Sequence, residues 1–229
     1  MNTQRDVHGH SLYSAIFILV LGATCFSGGC RHADRDKIVS KAPPHEPTNL
    51  HSVEKFPDNF KRVIVLPCHH IPEDQLLVDY IDTVFRHELA KRRVFEPVFV
   101  SRNELHRLVG KTQLTPQEKL PENLLARLLA EYAGVDGVMF LEIFNYRAYK
   151  PLALGVRGRL VDLRSGDFIW AIDETFDAGN ASIISAADEF QRRNQVTNFS
   201  RHSYGSVLTS PRVFTKYVAN AAFGTLPTR

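Results

Sequence analysis

The sequence predicts an α+β fold, a mixed α/β sandwich in which a central β-sheet ends in an antiparallel meander and helices pack on the sheet. Three observations predict it. Short runs rich in β-branched residues, such as residues 63–67, are typical of buried strands. Longer stretches, such as residues 73–93, repeat apolar residues at helical spacing. Two apolar stretches flank a tight turn at residues 164–167, which indicates a hairpin.

The first two predicted elements are a strand and a helix. Residues 63–67 form a β-branched run that Pro67 ends, which favours a short buried strand. Residues 73–93 carry charged side chains on some faces and an apolar stripe on another, which predicts an amphipathic helix of about five turns. The stripe consists of Leu77, Ile81, Val84, Phe85 and Leu89.

A second strand and a short helix follow. Residues 94–100 have strand character, and Pro97 predicts an edge position because proline has no N–H to donate to a neighbouring strand. Ser101 and Glu104 have the spacing of a capping box. This pattern opens a helix that ends near Val109.

Three further helices are predicted, one before the meander and two after it. The first begins near Pro121, and Gly134 ends it as a C-cap glycine would. The other two span residues 181–195 and 211–223, with a polar loop between them. The apolar stripe of the first helix is Leu124, Leu125, Leu128, Leu129 and Tyr132.

The meander is predicted from three consecutive strands. They cover residues 135–149, 152–163 and 168–176. Gly166 lies where the turn between the last two strands needs a positive φ. Asp162 lies four residues before this glycine, where its carboxylate can organise the backbone of the turn.

The N-terminus has the features of an export signal. An apolar run at residues 12–21 is about as long as a signal-peptide core and too short to span a bilayer comfortably. Small residues follow it, and Ser27, Gly28, Gly29 and Cys30 resemble the end of a bacterial lipoprotein signal, in which the cysteine becomes the acylated first residue. Cys30 is therefore the candidate lipid-attachment residue. Two or three acyl chains would anchor the protein stably.

These features predict three segments. Residues 1–29 are a lipoprotein signal peptide, residues 30–59 are a flexible tether, and residues 60–229 are a single folded domain. The alternatives are an uncleaved N-terminal anchor, or a signal cut elsewhere with Cys30 unmodified. Arg31 follows the cysteine where some retained lipoproteins carry aspartate, so the resemblance favours the outer membrane.

Composition excludes several classes of protein. The net charge is +3, from 28 Lys and Arg against 25 Asp and Glu, which is too small to indicate a nucleic-acid binder. Three cysteines are too few for a disulfide scaffold. Cys25 would leave with the signal and Cys30 would be acylated, so Cys68 would have no partner within the mature chain.

Three stretches of the sequence resemble a known superfamily. They are residues 62–67, residues 133–138 and residues 159–170, the last with Trp170 as a large buried side chain. They are similar to the opening strand, the strand after a helix, and the hairpin of the periplasmic lipoproteins that include CsgG, LpoB and the N-terminal domain of TolB. The resemblance implies a CsgG/LpoB-like domain and a non-enzymatic envelope role in binding or assembling other proteins.

The sequence departs from the pore-forming branch of that superfamily. That branch needs membrane-crossing strands of about ten residues with clean alternation. Residues 111–120 and 178–206 could hold such strands but lack the alternation. A subunit of an oligomeric outer-membrane export complex, as in curli-type secretion, is therefore the alternative rather than the first hypothesis.

The most reactive side chains lie at the end of the first strand. Cys68, His69 and His70 are consecutive, and Glu73 and Asp74 follow. Two imidazoles, a thiolate and a carboxylate suit zinc, but adjacent residues of an extended chain point to opposite sides. A nucleophilic cysteine with a histidine base is a further alternative from the enzyme class. A solvated loop is the favoured interpretation.

Two sets of charged residues can be explained without proposing a bound ligand. Four carboxylates on the meander are expected on an exposed strand face and turn: Glu142, Asp162, Asp173 and Glu174. Four cations near a helix C-terminus complement the helix dipole, although they could also touch anionic lipid: Arg86, Lys91, Arg92 and Arg93.

The sequence therefore predicts a periplasm-facing, lipid-anchored envelope protein that is not an enzyme. No catalytic, cofactor-binding or metal-binding residue is assigned, and Cys30 is the lipid-attachment residue. The expected partners are other envelope proteins and, through the anchor, a membrane. No nucleic acid is expected, and a homo-oligomer is left open.

Overall fold

Among the residues that the structure describes, seven strands form one mixed β-sheet in the computed structural model, and five helices pack on it. The structure describes residues 42–70, 75–117, 122–197 and 206–229. The strands are β1 (Leu50–Ser52), β2 (Arg62–Val65), β3 (His69–His70), β4 (Glu96–Phe99), β5 (Gly137–Arg147), β6 (Ala153–Asp162) and β7 (Phe168–Asp177). The helices are α1 (Gln75–Arg92), α2 (Arg102–Val109), α3 (Glu122–Glu131), α4 (Ala181–Thr197) and α5 (Pro211–Phe223). The predicted α+β class is confirmed.

The sheet is antiparallel on one side of β5 and parallel on the other. Its strand order is β1-β7-β6-β5-β2-β4, and β3 pairs with β5 outside this path. The predicted meander is the antiparallel run β5-β6-β7, which β1 extends. β2 is parallel to both β4 and β5, so helices cross over between these strands.

Apolar side chains cover both faces of the sheet, which makes three layers. The first core lies between the sheet and helices α1, α4 and α5, and it contains the fully buried Trp170. The second core lies on the opposite face under α2 and α3. It consists of Ile64, Leu66, Val100, Leu105, Leu108, Leu114, Leu128, Val135, Val138 and Phe140. Side chains of β2 and β5 pack in both cores, so the sequences of these two strands are nearly continuous apolar runs.

Three local predictions, for a helix cap, a hairpin turn and an edge strand, agree with the structure. Ser101 accepts a hydrogen bond from the Glu104 N–H while Glu104 accepts one from the Ser101 N–H, so the capping box is present. Gly166 has a φ of 79°, and Asp162 Oδ1 accepts the N–H of Arg164 at 2.8 Å. Pro97 lies in β4, at an edge of the sheet, as predicted.

The prediction that residues 30–59 form a tether is wrong for residues 43–59. Pro43–Arg229 belongs to one compact unit, and β1 pairs with β7 from Leu50, opposite Ile172, to Ser52, opposite Trp170. Three residues are too few to show a strand pattern in the sequence. Pairing with the edge of β7 is what makes this segment a strand. Residues 1–29 and Cys30 lie outside the described residues. No helix of the described part is long and apolar enough to cross a membrane.

Trp170 and Gly158 form a close contact between β6 and β7. A Cβ atom at Gly158 would lie 2.7 Å from Cη2 and Cζ3 of Trp170. The ring has little freedom to move, because it is buried and its Nε1 donates a hydrogen bond to Thr225 Oγ1 at 2.9 Å. A glycine is therefore needed at this position.

We expect Gly158→Ala to lower the free energy of unfolding by about 1–3 kcal/mol, because the added methyl overpacks the core. The smaller ring of Trp170→Phe makes room, so Gly158→Ala should cost less in that background. Urea unfolding followed by circular dichroism measures both differences. Equal costs in the two backgrounds would contradict the contact.

Candidate functional site

Cys68, His69 and His70 lie just beyond the carboxyl end of β2, where the chain crosses into β3. β3 pairs with β5 so that His69 is opposite Glu142 and His70 is opposite Ile143. Successive side chains of a strand point to opposite faces. His69 therefore lies on the face of Glu142, and the structure divides the three residues between two clusters.

The first cluster joins Cys68 and His70 to Asp82 of α1. One ligand-type atom of each residue, namely the Cys68 sulfur, a His70 ring nitrogen and an Asp82 carboxylate oxygen, lies within 4.8 Å of the others. Cys68 is 2% exposed and His70 is 5% exposed. The predicted solvated loop is therefore wrong at these two residues, which are buried.

Arg102, at the first position of α2, holds this cluster together. Its Nη2 donates to Asp82 Oδ2 at 2.7 Å and to the Cys68 carbonyl at 2.8 Å. Its Nη1 lies 3.3 Å from Gln113 Oε1, which also accepts the His70 N–H at 3.2 Å. The Cys68 N–H donates to the second Asp82 oxygen at 2.9 Å. Arg102 thus fixes the backbone and the carboxylate of the cluster from one side.

Burial keeps the Cys68 thiol and the His70 imidazole uncharged. Burial, followed by the charge of Asp82 and a hydrogen bond to it, raises the pKa of the Cys68 thiol well above its usual value. Burial, followed by the charges of Arg102 and His69, lowers the pKa of His70 to about 4. At neutral pH Cys68 is a thiol and His70 is a neutral imidazole. A nucleophilic cysteine needs the thiolate, so this environment disfavours the cysteine-nucleophile alternative.

The second cluster is a row of four charged or polar side chains across four strands, which we call the ion ladder: His69, Glu142, Arg157 and Asp173. Each residue is directly opposite the next in β3, β5, β6 and β7. His69 Nδ1 lies 3.3 Å from Glu142 Oε1. Arg157 donates to Glu142 Oε2 at 2.8 Å and to Asp173 Oδ2 at 2.7 Å.

Arg157 is the centre of the ion ladder. Its guanidinium also lies over the ring of Phe144, 4.9 Å from the centroid. Although burial lowers the pKa of Arg157, its hydrogen bonds to Asp173 and Glu142 raise it overall. Glu142 is 4% exposed, so it depends on Arg157 for compensation of its charge.

The structure revises the prediction for the four meander carboxylates. Glu142 and Asp162 are buried rather than exposed. Glu142 is in the ion ladder and Asp162 is in the hairpin turn, so each has a structural partner. Asp173 and Glu174 are partly exposed and are also paired, Asp173 with Arg157 and Glu174 with the Thr48 N–H.

The cations near the end of α1 contact the domain itself. Arg86 donates to the Val100 carbonyl at 2.6 Å, and Lys91 pairs with Glu88 at 2.7 Å. Arg92 donates to the Asn220 carbonyl at the end of α5. These three side chains are therefore engaged within the domain, which favours the interpretation without a lipid ligand.

Sequence comparison assigns no family: no protein-family model and no curated protein matches the chain. Among solved structures, the chain is similar to the PelC dodecamer from Paraburkholderia phytofirmans, with 10% identity, 79% of this chain and 96% of that chain covered, and a TM-score of 0.47. It is similar to a lipoprotein from Neisseria meningitidis, with 16% identity, 58% and 99% covered, and a TM-score of 0.41. It is also similar to the C-terminal domain of LpoB from Escherichia coli, with 17% identity, 61% and 92% covered, and a TM-score of 0.35.

LpoB is one of the proteins named in the sequence resemblance, whereas the similarity to CsgG stays a prediction. Identities and TM-scores this low assign neither an activity nor a partner to this chain. Its function therefore has to be argued from its own residues.

The contribution of the ion ladder to stability can be tested by replacing Arg157. Arg157→Met leaves the buried Glu142 carboxylate without its main cation, so we expect a loss of about 3–5 kcal/mol in the free energy of unfolding. The double variant Arg157→Met/Glu142→Met removes both charges and should recover most of that loss. Urea unfolding measures these free energies.

The matched control is Arg193→Met. Arg193 also pairs with a glutamate, Glu189, at 2.6 Å, but its side chain is 73% exposed. Exposed pairs of this kind contribute about 0.3–0.5 kcal/mol. If Arg157→Met costs no more than Arg193→Met, the ion ladder is not a buried network.

Proposed function

We propose that the protein is a lipid-anchored protein of the bacterial cell envelope that faces the periplasm and acts as a non-enzymatic binding or assembly factor. The observation that carries the proposal is the sequence Ser27, Gly28, Gly29 and Cys30 directly after the apolar run at residues 12–21. Small residues before the cysteine give a peptidase access to the backbone, and the thiol accepts a lipid. We place the anchor in the outer membrane.

The chemistry of the folded unit supports binding rather than catalysis. The side chains that looked most reactive in the sequence, Cys68 and His70, are buried and uncharged at neutral pH. The acidic side chains Glu142 and Asp173 are tied to Arg157. In each case, a group that an enzyme would present to a substrate is engaged in or shielded by the fold.

The start of the folded unit limits how far it can stand from the membrane. If Cys30 carries the lipid, twelve residues, 31–42, lie between it and Pro43, the first residue of the compact unit. Such a segment reaches at most about 45 Å when fully extended. The predicted thirty-residue tether would have allowed about twice this distance. The folded unit, and a partner bound to it, would therefore lie nearer to the anchoring membrane than a thirty-residue tether would have allowed.

Labelling with a palmitate analogue tests the anchor. We expect the full-length chain, expressed in a Gram-negative bacterium, to incorporate the label, and Cys30→Ala to incorporate none, because the acylated thiol is missing. The label is detected on the protein after gel separation. A wild-type chain without label would contradict the proposal.

The chain supplies two matched control variants. Cys25→Ala removes a cysteine that leaves with the signal, and Cys68→Ser removes the buried thiol of the folded unit, so both should keep the label. Loss of the label in Cys25→Ala but not in Cys30→Ala would place the lipid on the wrong cysteine for this proposal.

The mass of the detergent-extracted protein distinguishes a binding or assembly factor from a subunit of an export complex. We expect a monomer, or a small complex with one other protein, because both edges of the sheet resist strand-to-strand association. β4 carries Pro97, and β1 is three residues long. Mass photometry measures the particle. A defined ring of many copies would contradict the proposed binding or assembly factor and favour the alternative, a subunit of an export complex.

A further inference from the structure

We propose that Cys68, His70 and Asp82 form a binding site for a divalent metal ion, with Zn²⁺ as the preferred ion. The proposal concerns the folded unit alone and does not depend on the lipid anchor. It assigns a role to Cys68 and His70, the two residues of the Cys68, His69 and His70 motif that are not in the ion ladder.

The first argument is the convergence of three different donor types. Cys68 and His70 are two residues apart, so they point to the same side of the extended chain, and Asp82 approaches from α1. One ligand-type atom from each residue lies within 4.8 Å of the other two. Small side-chain rotations bring such atoms to the metal–ligand distances of a zinc site, about 2.0–2.3 Å.

The second argument is independent of this convergence and comes from the His70 ring. The ring is buried, and neither Nδ1 nor Nε2 has a hydrogen-bond partner among the described residues. A buried polar group without a partner is costly, and such groups are rare in native structures. A metal ion bound to one nitrogen would satisfy it. A histidine kept for packing alone would be better replaced by an apolar residue.

The donor set favours zinc over harder ions. Thiolate and imidazole are ligands that Zn²⁺ prefers, whereas Mg²⁺ and Ca²⁺ prefer sites made of oxygen atoms. Binding forms a zinc–sulfur bond at Cys68 and releases the thiol proton to solvent. The ion and the thiolate then add one net positive charge beside Asp82 and Arg102, whose own charges cancel.

Arg102 has the position of an outer-shell partner. It donates to Asp82 Oδ2 at 2.7 Å, while Oδ1 accepts the Cys68 N–H at 2.9 Å, so both oxygens of the carboxylate are oriented. Outer-shell hydrogen bonds of this kind hold ligand carboxylates in place around metals. The second lone pair of an oxygen remains available to the ion.

The ion would reach the site past Asp82. The Asp82 side chain is 12% exposed, whereas Cys68 and His70 are almost fully buried behind it. The described residues supply three ligands, and water or another group completes the coordination. The bound ion would fasten the connection between β2 and β3 to α1, in addition to the hydrogen bond from the Cys68 N–H to Asp82 and the contacts of Arg102.

Cobalt substitution and metal analysis of the full-length chain test the proposal. After removal of metals with a chelator, we expect one equivalent of Zn²⁺ to rebind and to raise the melting temperature. Titration with Co²⁺ should give the ultraviolet charge-transfer absorption of a thiolate–cobalt bond, which Zn²⁺ then removes. Absence of this absorption, or binding of Co²⁺ without it, overturns the proposal because Cys68 is then not a ligand.

The adjacent histidine provides the matched control. His70→Gln should raise the dissociation constant for Zn²⁺ by more than the roughly 10–100-fold typical of losing an outer-shell partner. His69→Gln should leave it unchanged, because His69 lies in the ion ladder. Cys68→Ser and Asp82→Asn keep the shape of the site and should abolish the cobalt absorption and weaken binding, respectively. Equal effects of His69→Gln and His70→Gln would also overturn the proposal.

Discussion

The rest of the structure depends on β5. It pairs antiparallel with β6 and parallel with β2 and β3, so it joins the meander to the part of the sheet that helices cross. Its residues from Gly137 to Ile143 are all buried, because both faces of the sheet are covered around it. A strand of this kind can be stable only when helices pack on both sides, and this requirement produces the three layers.

The register of the meander decides which charged side chains meet. Val161 is opposite Phe168, but Leu160 is opposite Trp170, so one extra residue of β7 is accommodated between these pairs. Without this bulge Arg157 would be opposite Ile172, which faces the first core, and the ion ladder could not form. A shift of one residue moves a side chain to the other face of a sheet, so the bulge is as important for the ladder as the charges themselves.

The sequence predicted the elements well because their signals are local. The capping box at Ser101, the turn at Gly166 and helix α5 depend on residues close together in the chain. The ion ladder and the Cys68 cluster depend instead on register and on helix docking. Asp82 lies fourteen residues after Cys68 and reaches it only because α1 packs beside β2, whereas the sequence drew attention to the nearer Glu73 and Asp74, which lie outside the described residues. The burial of Cys68 and His70 could not be predicted either, since it depends on how α1 docks and the residues next to them give no signal for it.

The two clusters share one cause, the short pairing of β3 with β5. Because His69 is in register with Glu142, the alternation of the strand turns Cys68 and His70 toward α1. Two residues of β3 therefore supply one side chain to a charged row on one face and one to a buried cluster on the other. A change that shifts this register would move His69 away from Glu142 and at the same time turn His70 away from Asp82. The two clusters therefore depend on the same backbone register of β3, while each is built from its own side chains.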